Sequence, residues 1–189
     1  MGVDPGTRLA GYAVLVVRRG VVECRELGVV ALPGEWSLPR RLAQLSLEMS
    51  RLVRRHEPDG VAVEQAIYAQ NIRTALVLGQ ARGVVVGAAA LSGAEVFEYS
   101  PREVKRAVTG NGAASKQQVQ GMVRRLLGLG RPPGADEADA AALALCHLDR
   151  ARRGGLAASP RAEIPLRPRR TSRWTAGDVE RLRAEGRIR

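Results

Sequence analysis

Aromatic side chains are scarce in this sequence, and so are cysteine and lysine. Phe, Trp and Tyr together make up 3% of the chain, so its core must be built mainly from Val, Leu, Ala and Ile. The two cysteines, Cys24 and Cys146, lie in apolar or helical patterns, which predicts reduced core residues of a cytosolic protein rather than a disulfide or a zinc site. No apolar run reaches the roughly 18 residues that a membrane span needs, so we expect no membrane partner.

Positive charge, in contrast, is abundant. The formal net charge is +11, and a basic surface of this size favours polyanionic partners such as nucleic acid or an anionic membrane. The alternative is that the many arginines reflect codon bias and solubility. Residues 151–189 hold eleven arginines against four acids, whereas residues 1–150 carry 19 basic and 15 acidic residues. The strongest electrostatic element is therefore the C-terminal part of the chain.

Apolar periodicity and turn residues predict secondary structure in the order β-β-β-α-β-α-β-α-α-α. Val-rich segments at 11–18 and 21–32, separated by Arg19-Gly20, predict a β-hairpin. We expect an α/β fold in which this antiparallel hairpin joins a mixed sheet with helices on both faces. From about residue 151 the pattern gives way to Arg, Gly, Pro and Ala. We therefore expect a folded domain over 1–150 and a largely disordered, Arg-rich extension over 151–189.

The helix predicted over residues 72–92 is rich in small residues, including Gly79, Gly83 and Gly87. Each glycine costs about 1 kcal/mol in a helix. Several together predict close backbone packing of this helix, either against the sheet or against a second subunit.

Four carboxylates occupy positions where a sheet of this kind places its functional site. Asp4 and Glu64 each end an apolar strand, and in open α/β sheets the site lies beyond the carboxyl ends of the strands. Asp136 and Asp139 are three residues apart in the first turn of a predicted helix and share one face. Carboxylates gathered in this way repel each other unless hard cations neutralise them, and oxygen ligands suit Mg²⁺ or Mn²⁺. Two such ions can activate water and stabilise the leaving oxygen of a phosphodiester.

Three of the four carboxylates also have a local structural explanation. Asp4 precedes Pro-Gly and suits an Asx turn. Asp136 suits the N-cap of the final helix, with Asp139 at N3. Glu64 has neither explanation, and burial without a partner would be costly. From the residues alone, a metal-dependent nuclease and a non-catalytic, basic DNA-binding module both remain open.

The sequence resembles the RuvC-type Holliday junction resolvases over nearly all of residues 1–150. The matching segments are Gly-Val-Asp-Pro-Gly-Thr at 2–7, Val-Glu-Gln at 63–65, Leu-Gly-Gln-Ala-Arg-Gly at 78–83, Val-Phe-Glu-Tyr at 96–99, Val-Lys at 104–105 and Ala-Asp-Glu-Ala-Asp-Ala at 135–140. The resemblance implies a ribonuclease-H-like fold with a mixed five-stranded sheet, and a homodimer that nicks two opposing strands of a four-way DNA junction during recombination and repair. It also implies a cytoplasmic, nucleoid-associated protein of bacteria that works with the RuvA/RuvB branch-migration complex.

The same resemblance implies roles for individual residues. Metal binding and catalysis, with two Mg²⁺ or Mn²⁺ ions per site, are implied for Asp4, Glu64, Asp136 and Asp139. Lys105 and Lys116, the only lysines in the chain, fall on positions that contact DNA near the scissile phosphate. Further candidate DNA contacts are Tyr68, Asn71 and Arg73, and the helix over 72–92 falls in the dimer interface. The alternative enzyme class is another ribonuclease-H-like nuclease.

Three features depart from the family pattern. Only Met1 precedes Gly2, so either the start codon is misassigned or Asp4 is less firmly seated on a short strand. Ile67 stands where many members have an aromatic residue, and the neighbouring Tyr68 either stacks on junction bases in its place or packs in the core. The Arg-rich tail has no counterpart in the pattern, and it is either a solvated end or a non-specific phosphate-binding segment.

Overall fold

The computed structural model describes residues 1–65 and 72–154, together with residues 181 and 184. Its elements follow the predicted order and are β1 (Gly2–Asp4), β2 (Leu9–Arg18), β3 (Val21–Ala31), α1 (Leu38–His56), β4 (Gly60–Glu64), α2 (Ile72–Leu91), β5 (Glu95–Tyr99), α3 (Pro101–Thr109), α4 (Lys116–Leu126) and α5 (Ala135–Arg152). Nearly all of the 151–189 extension lies outside the described residues.

The five strands form one mixed sheet in the order β3-β2-β1-β4-β5. The first three strands are antiparallel neighbours, whereas β1–β4 and β4–β5 are parallel pairs. At the tip of the β2–β3 hairpin, Arg19 and Gly20 both have positive φ angles, of 50° and 80°. Two such residues in succession make the tight turn whose twist matches that of the flanking strands. The predicted hairpin and mixed sheet are confirmed.

Helices cover both faces of the sheet and bury a core on each side. On one face, Leu45 and Met49 of α1 and Val85 of α2 pack against Val61 and Val63 of the sheet. On the other face, α3, α4 and α5 pack over a layer of smaller sheet residues, among them Ala13 and Ala62. Because β4 alternates Val-Ala-Val, its two faces differ in bulk, and α5 packs on the face with the smaller side chains.

β1 is short but central, which argues against the alternative that Asp4 is less firmly seated. The strand pairs with β2 through Asp4↔Gly11 and with β4 through Val3↔Val63. Just before it, the Met1 ammonium donates a buried hydrogen bond of 2.8 Å to the carbonyl oxygen of Gly60. Pairing on both sides fixes the backbone that carries Asp4 despite the strand's three residues.

Both cysteines are free, as predicted. Cys146 is buried in α5, but Cys24 is only half-buried. The expectation that Cys24 belongs to the core is wrong, because it lies on β3, an edge strand of the sheet with one face partly open to solvent.

By length and composition, α2 is the one helix among the described residues that could cross a membrane. The sequence did not predict a membrane span here, because Gln80 and Arg82 interrupt the apolar residues of this helix. Ala81, Val85, Ala88 and Ala89 of α2 are buried in the core of the sheet domain. One face of α2 therefore packs on the sheet domain, and the opposite face is left open.

That open face carries the glycines that predicted close packing. A methyl group added at Gly79, Gly83 or Gly87 would meet no atom within 4 Å. Ile72 and Leu76 lie beside them with 80% and 66% of their surfaces exposed. The predicted close packing against the sheet is therefore wrong, and the alternative, packing against a second subunit, stays a prediction.

Candidate active site

Asp4 and Glu64 are brought together by strand order. Asp4 is the last residue of β1 and Glu64 the last residue of β4, and these two strands are adjacent and parallel. Their carboxyl ends therefore meet at the same edge of the sheet. No backbone amide among the described residues donates a hydrogen bond to the Asp4 carboxylate, so the Asx-turn interpretation gains no support.

Two glycines let α5 approach this edge closely. A methyl group at Gly2 would collide with the backbone of Ala140, and one at Gly11 would collide with the backbone carbonyl group of Asp136. Only hydrogen fits at either position without a shift of the helix. The first turns of α5, which carry Asp136 and Asp139, consequently lie directly on β1 and β2.

The N-terminus of α5 is capped without help from either aspartate. Gly134 is the N-cap residue, and its backbone N–H donates to Oε2 of Glu137 at 2.6 Å. Arg131 holds the same carboxylate with two hydrogen bonds of 2.8 and 2.9 Å. The interpretation of Asp136 as N-cap and Asp139 as N3 is therefore wrong, because Pro132-Pro133-Gly134 starts the helix earlier and gives the N3 position to Glu137.

A cavity of about 200 Å³ lies where these elements meet. Three of the predicted acids line it, Asp4, Glu64 and Asp139, and so do both lysines, Lys105 and Lys116, while Pro101, Val104, Val119, Ala142 and Leu143 complete its wall. Asp136 does not line the cavity, although its charge contributes to raising the pKa of Asp4. A larger open cleft of about 510 Å³ between β3 and α1 contains none of the four acids.

Capping boxes fix the two helices that carry the lysines. Ser100 accepts a hydrogen bond from the backbone of Glu103, whose carboxylate accepts one from the Ser100 backbone, and this starts α3. Ser115 and Gln118 exchange the same pair of bonds at the start of α4. Lys105 thus lies in the second turn of α3, and Lys116 is the first residue of α4.

Lys116 is held directly by the site. Its Nζ donates a hydrogen bond of 3.1 Å to Oδ2 of Asp139, and this contact raises the pKa of the lysine. The ammonium group is therefore charged at neutral pH and lies among the carboxylates.

Burial and mutual repulsion perturb the acids. Burial first, and then the charges of Asp139, Glu64 and Asp136, raise the pKa of Asp4 from its ordinary value of 3.8 to about 7. Burial and the charge of Asp139 also raise the pKa of Glu64, which Lys116 and Lys105 partly offset. A carboxylate that resists ionisation next to other carboxylates gains most from a bound cation, because the cation removes the repulsion.

The donor set fits a hard divalent cation by its chemistry, since all its ligand atoms are carboxylate oxygens. Among the described residues, no three Asp, Glu, His or Cys side chains already converge as a closed metal-binding group. The acids therefore form an electrostatically coupled set that lines an open cavity.

Of the remaining predicted DNA contacts, only Arg73 is among the residues that the structure describes. Arg73 is exposed in the first turn of α2 and does not line it. Tyr68 and Asn71 lie outside the described residues, as does Ile67. One residue next to the site was missed: the guanidinium of Arg82 contacts the Glu64 backbone. Its signal in the sequence was a charge in the middle of the apolar helix over 72–92, whose one other charged residue is Arg73 at its start.

Comparison with known proteins gives consistent matches over this domain. The family model described as "Crossover junction endodeoxyribonuclease RuvC" matches residues 1–147. The curated protein of that name from Syntrophomonas wolfei is 43% identical over 149 residues, covering 78% of this chain and 87% of the relative. The one from Marinobacter nauticus is 44% identical over 172 residues, covering 87% of this chain and 98% of the relative.

Solved structures give the same picture. The structure of Thermus thermophilus RuvC in complex with a Holliday junction substrate superimposes with a TM-score of 0.76 at 33% sequence identity. The superposition covers 82% of this chain and 94% of that chain.

Proposed function

This chain belongs to the RuvC family of crossover junction endodeoxyribonucleases, and from that membership we infer that it is an endonuclease that resolves four-way (Holliday) DNA junctions. Its fold is the ribonuclease-H-like fold of that family. The observation that supports a location for this function is that one cavity is lined by Asp4, Glu64 and Asp139 together with both lysines. Acidic ligands for a cation and basic groups for phosphate thus occur side by side.

We propose that Asp4, Glu64, Asp136 and Asp139 are the metal-binding and catalytic acids. The family acts with divalent metal ions, and we propose that Mg²⁺ or Mn²⁺ fills the role here, with two ions per site. When bound, such ions supply an activated water and neutralise charge on the leaving oxygen. Asp136, in the first turn of α5, does not line the cavity, and the effect of its charge on the pKa of Asp4 is what supports its inclusion.

The rest of the site's chemistry belongs to the protein's own side chains. Lys105 and Lys116 carry positive charge to the cavity from two separately capped helices, and a phosphodiester entering it would meet both. Compact ammonium groups suit this role, because each acts as a point charge that can donate in several directions. The apolar wall formed by residues such as Val104 and Leu143 lowers the local dielectric, which strengthens these charge contacts.

Two nicks on opposing strands require two sites, and we propose that a homodimer supplies them. The open face of α2 supports this proposal. Ile72, Leu76 and the neighbouring Gly79 and Gly83 place apolar side chains and bare backbone on one exposed surface. Glycines on a helix surface let another helix approach closely, and an exposed apolar patch of this kind is typical of an interface.

Two further proposals follow from family membership, and two more follow from the sequence of this chain. The protein acts in the bacterial cytoplasm at the nucleoid, and it works with the RuvA/RuvB branch-migration complex. The nuclease domain spans residues 1–150, and the arginines of the 151–189 extension bind DNA phosphates without sequence specificity. The domain boundary is supported by the family match, which ends at residue 147, and by the end of α5 at Arg152.

Cleavage of a synthetic mobile four-way junction tests this function most simply. With Mg²⁺ or Mn²⁺ the protein should nick two opposing strands of the junction and leave a linear duplex of the same sequence intact. Chelator should abolish the nicks. Equal cutting of linear duplex would instead indicate another ribonuclease-H-like nuclease, and binding without any cutting would indicate a non-catalytic DNA-binding module.

A further inference from the structure

Arg82 connects α2 to the ends of two neighbouring strands. Its Nε donates a hydrogen bond of 3.2 Å to the backbone carbonyl oxygen of Glu64. A terminal nitrogen of the same guanidinium forms an ion pair with the carboxylate of Glu98 on β5. The Arg82 side chain is only 24% exposed, so it is placed between these partners rather than extended into solvent.

Glu64 is paired with Tyr99 of β5, but its pairing with β1 ends here. Pairing between β1 and β4 ends at Val3↔Val63, and the next residue that could donate to the carbonyl oxygen of Glu64 is Pro5, which has no N–H. On the β5 side, the backbone N–H of Gln65 donates to the carbonyl oxygen of Tyr99 at 2.9 Å. The carbonyl group of Glu64 is then held by the side chain of Arg82, from another element of the fold.

Arg82 acts on the backbone of Glu64 and not on its carboxylate. The positive charges that offset the raised pKa of Glu64 are those of Lys116 and Lys105. The planar guanidinium can hold the carbonyl oxygen and the Glu98 carboxylate simultaneously, because its donors lie in a fixed fork. An arginine with two acceptors at fixed positions restricts where the end of β4 can lie.

We propose that Arg82 is a positioning residue for Glu64, with Glu98 as its anchor. This inference rests on the proposed role of Glu64 as a metal ligand. Groups that orient a metal ligand without touching the metal contribute to metal binding, and their loss costs about 10- to 100-fold in metal affinity or activity. Arg82 is also the only charged residue in the Leu78–Gly83 segment. The proposed role of the acids does not explain why this segment carries a charge.

The test compares metal binding with DNA binding in Arg82 and Glu98 variants. Metal binding is followed in two ways: by the Mn²⁺ concentration that gives half-maximal junction cleavage, and by the rise in Tm of the DNA-free protein as Mn²⁺ is added. Junction affinity is measured separately in chelator. For Arg82→Ala we expect both measures of Mn²⁺ affinity to weaken by about 10- to 100-fold, with junction affinity unchanged.

Conservative variants separate positioning from a general loss of structure. Arg82→Lys should fall between wild type and Arg82→Ala, since one ammonium cannot hold both acceptors in the same fork. Glu98→Gln, whose amide oxygen still accepts a hydrogen bond, should stay nearer to wild type than Glu98→Ala. If Arg82→Ala does not fold, this Glu98 pair carries the test. Arg51→Ala, which removes an exposed ion pair with Glu48 on α1, is the matched control and should behave as wild type.

The inference is overturned if Arg82→Ala, or Glu98→Ala in its place, binds Mn²⁺ as wild type does. It is also overturned if cleavage and junction affinity in chelator fall in parallel, since Arg82 would then be a DNA contact. Failure of the wild-type protein to cut junctions would instead contradict the proposed function.

Discussion

Gly11 pairs with Asp4 in the sheet and lies directly against the backbone carbonyl group of Asp136. Gly11 thus lies between two of the proposed catalytic acids, and because it has no side chain it lets α5 pack closely on β2. The geometry of the proposed catalytic site therefore depends on this contact.

Gly11→Ala should therefore move α5 and weaken both folding and cleavage. The added methyl group overlaps backbone atoms that have no rotamer to change, and overpacking of this kind costs about 1–3 kcal/mol. Chemical denaturation measures the loss of stability, and junction cleavage in saturating Mg²⁺ measures the effect on the site. Gly121→Ala on α4 is the control, because a methyl group there meets nothing within 4 Å and should be neutral or stabilising. Wild-type stability for Gly11→Ala would show that α5 does not lie as described.

Replacing Asp4 with Asn should stabilise the metal-free protein at neutral pH. The folded-state pKa of Asp4 is raised to about 7 from 3.8. Ionised Asp4 therefore lowers the free energy of unfolding. This loss of stability grows as pH rises between the two values and is complete above about pH 7. The stability difference between Asp4→Asn and wild type should grow from about pH 4 to about pH 7, reaching about 1–3 kcal/mol.

Thermal unfolding in chelator across this pH range measures the effect. Adding Mg²⁺ should then reverse the order, because wild type binds the ion more strongly than the variant does. A variant that is less stable than wild type at every pH in chelator would contradict the electrostatic account of the site.

Sequence patterns predicted the element order of this fold because apolar residues alternate or recur along each segment. Leu45, Met49, Leu52 and Val53 recur at helical spacing on α1, and all four are buried. The strand that ends at Glu64 was recognisable because Val61, Ala62 and Val63 form a short, fully apolar run. Glu64 itself was notable because a carboxylate at the end of such a run has no turn or capping role.

The sequence could not predict features that depend on contacts between residues far apart along the chain. Arg82 reaches Glu64 across 18 positions, and no periodicity reveals where a guanidinium points. The cap of α5 was misassigned because Gly134 has no side chain to mark it, whereas its partner Glu137 lies inside the helix. The sequence showed that α2 is rich in glycine, but it did not show whether those glycines lie against the sheet or on an open face of the folded chain.

Leu76→Glu on the open face of α2 should convert the proposed homodimer into monomers. Leu76 is 66% exposed in the single chain, so a charge there costs little in the monomer, but it would be buried and unpaired in the dimer. Sedimentation measures the oligomeric state, and paired nicks should be lost with the dimer. Leu47→Glu, at a 54% exposed position on α1, is the matched control and should remain dimeric. A dimeric Leu76→Glu would place the interface elsewhere.

Lys105→Ala and Lys116→Ala should each slow cleavage by about 100-fold, the usual cost of losing one donor that stabilises developing charge. Junction binding should weaken less, and its dependence on salt should decrease by about one phosphate contact per variant. Lys116→Arg keeps the charge and should retain more activity than Lys116→Ala. If neither alanine variant changes binding or cleavage, the lysines do not contact the DNA.

The central claim, that the acids at the ends of β1, β4 and the start of α5 perform metal-dependent cleavage, is tested most directly by single-turnover cutting of a labelled four-way junction. Glu64→Gln and Asp139→Asn keep side-chain shape and remove charge. We predict that both variants bind the junction in chelator as tightly as wild type does, and cut it about 100-fold more slowly or less in Mg²⁺ and Mn²⁺. Cutting by Asp139→Asn at the wild-type rate would contradict the assignment.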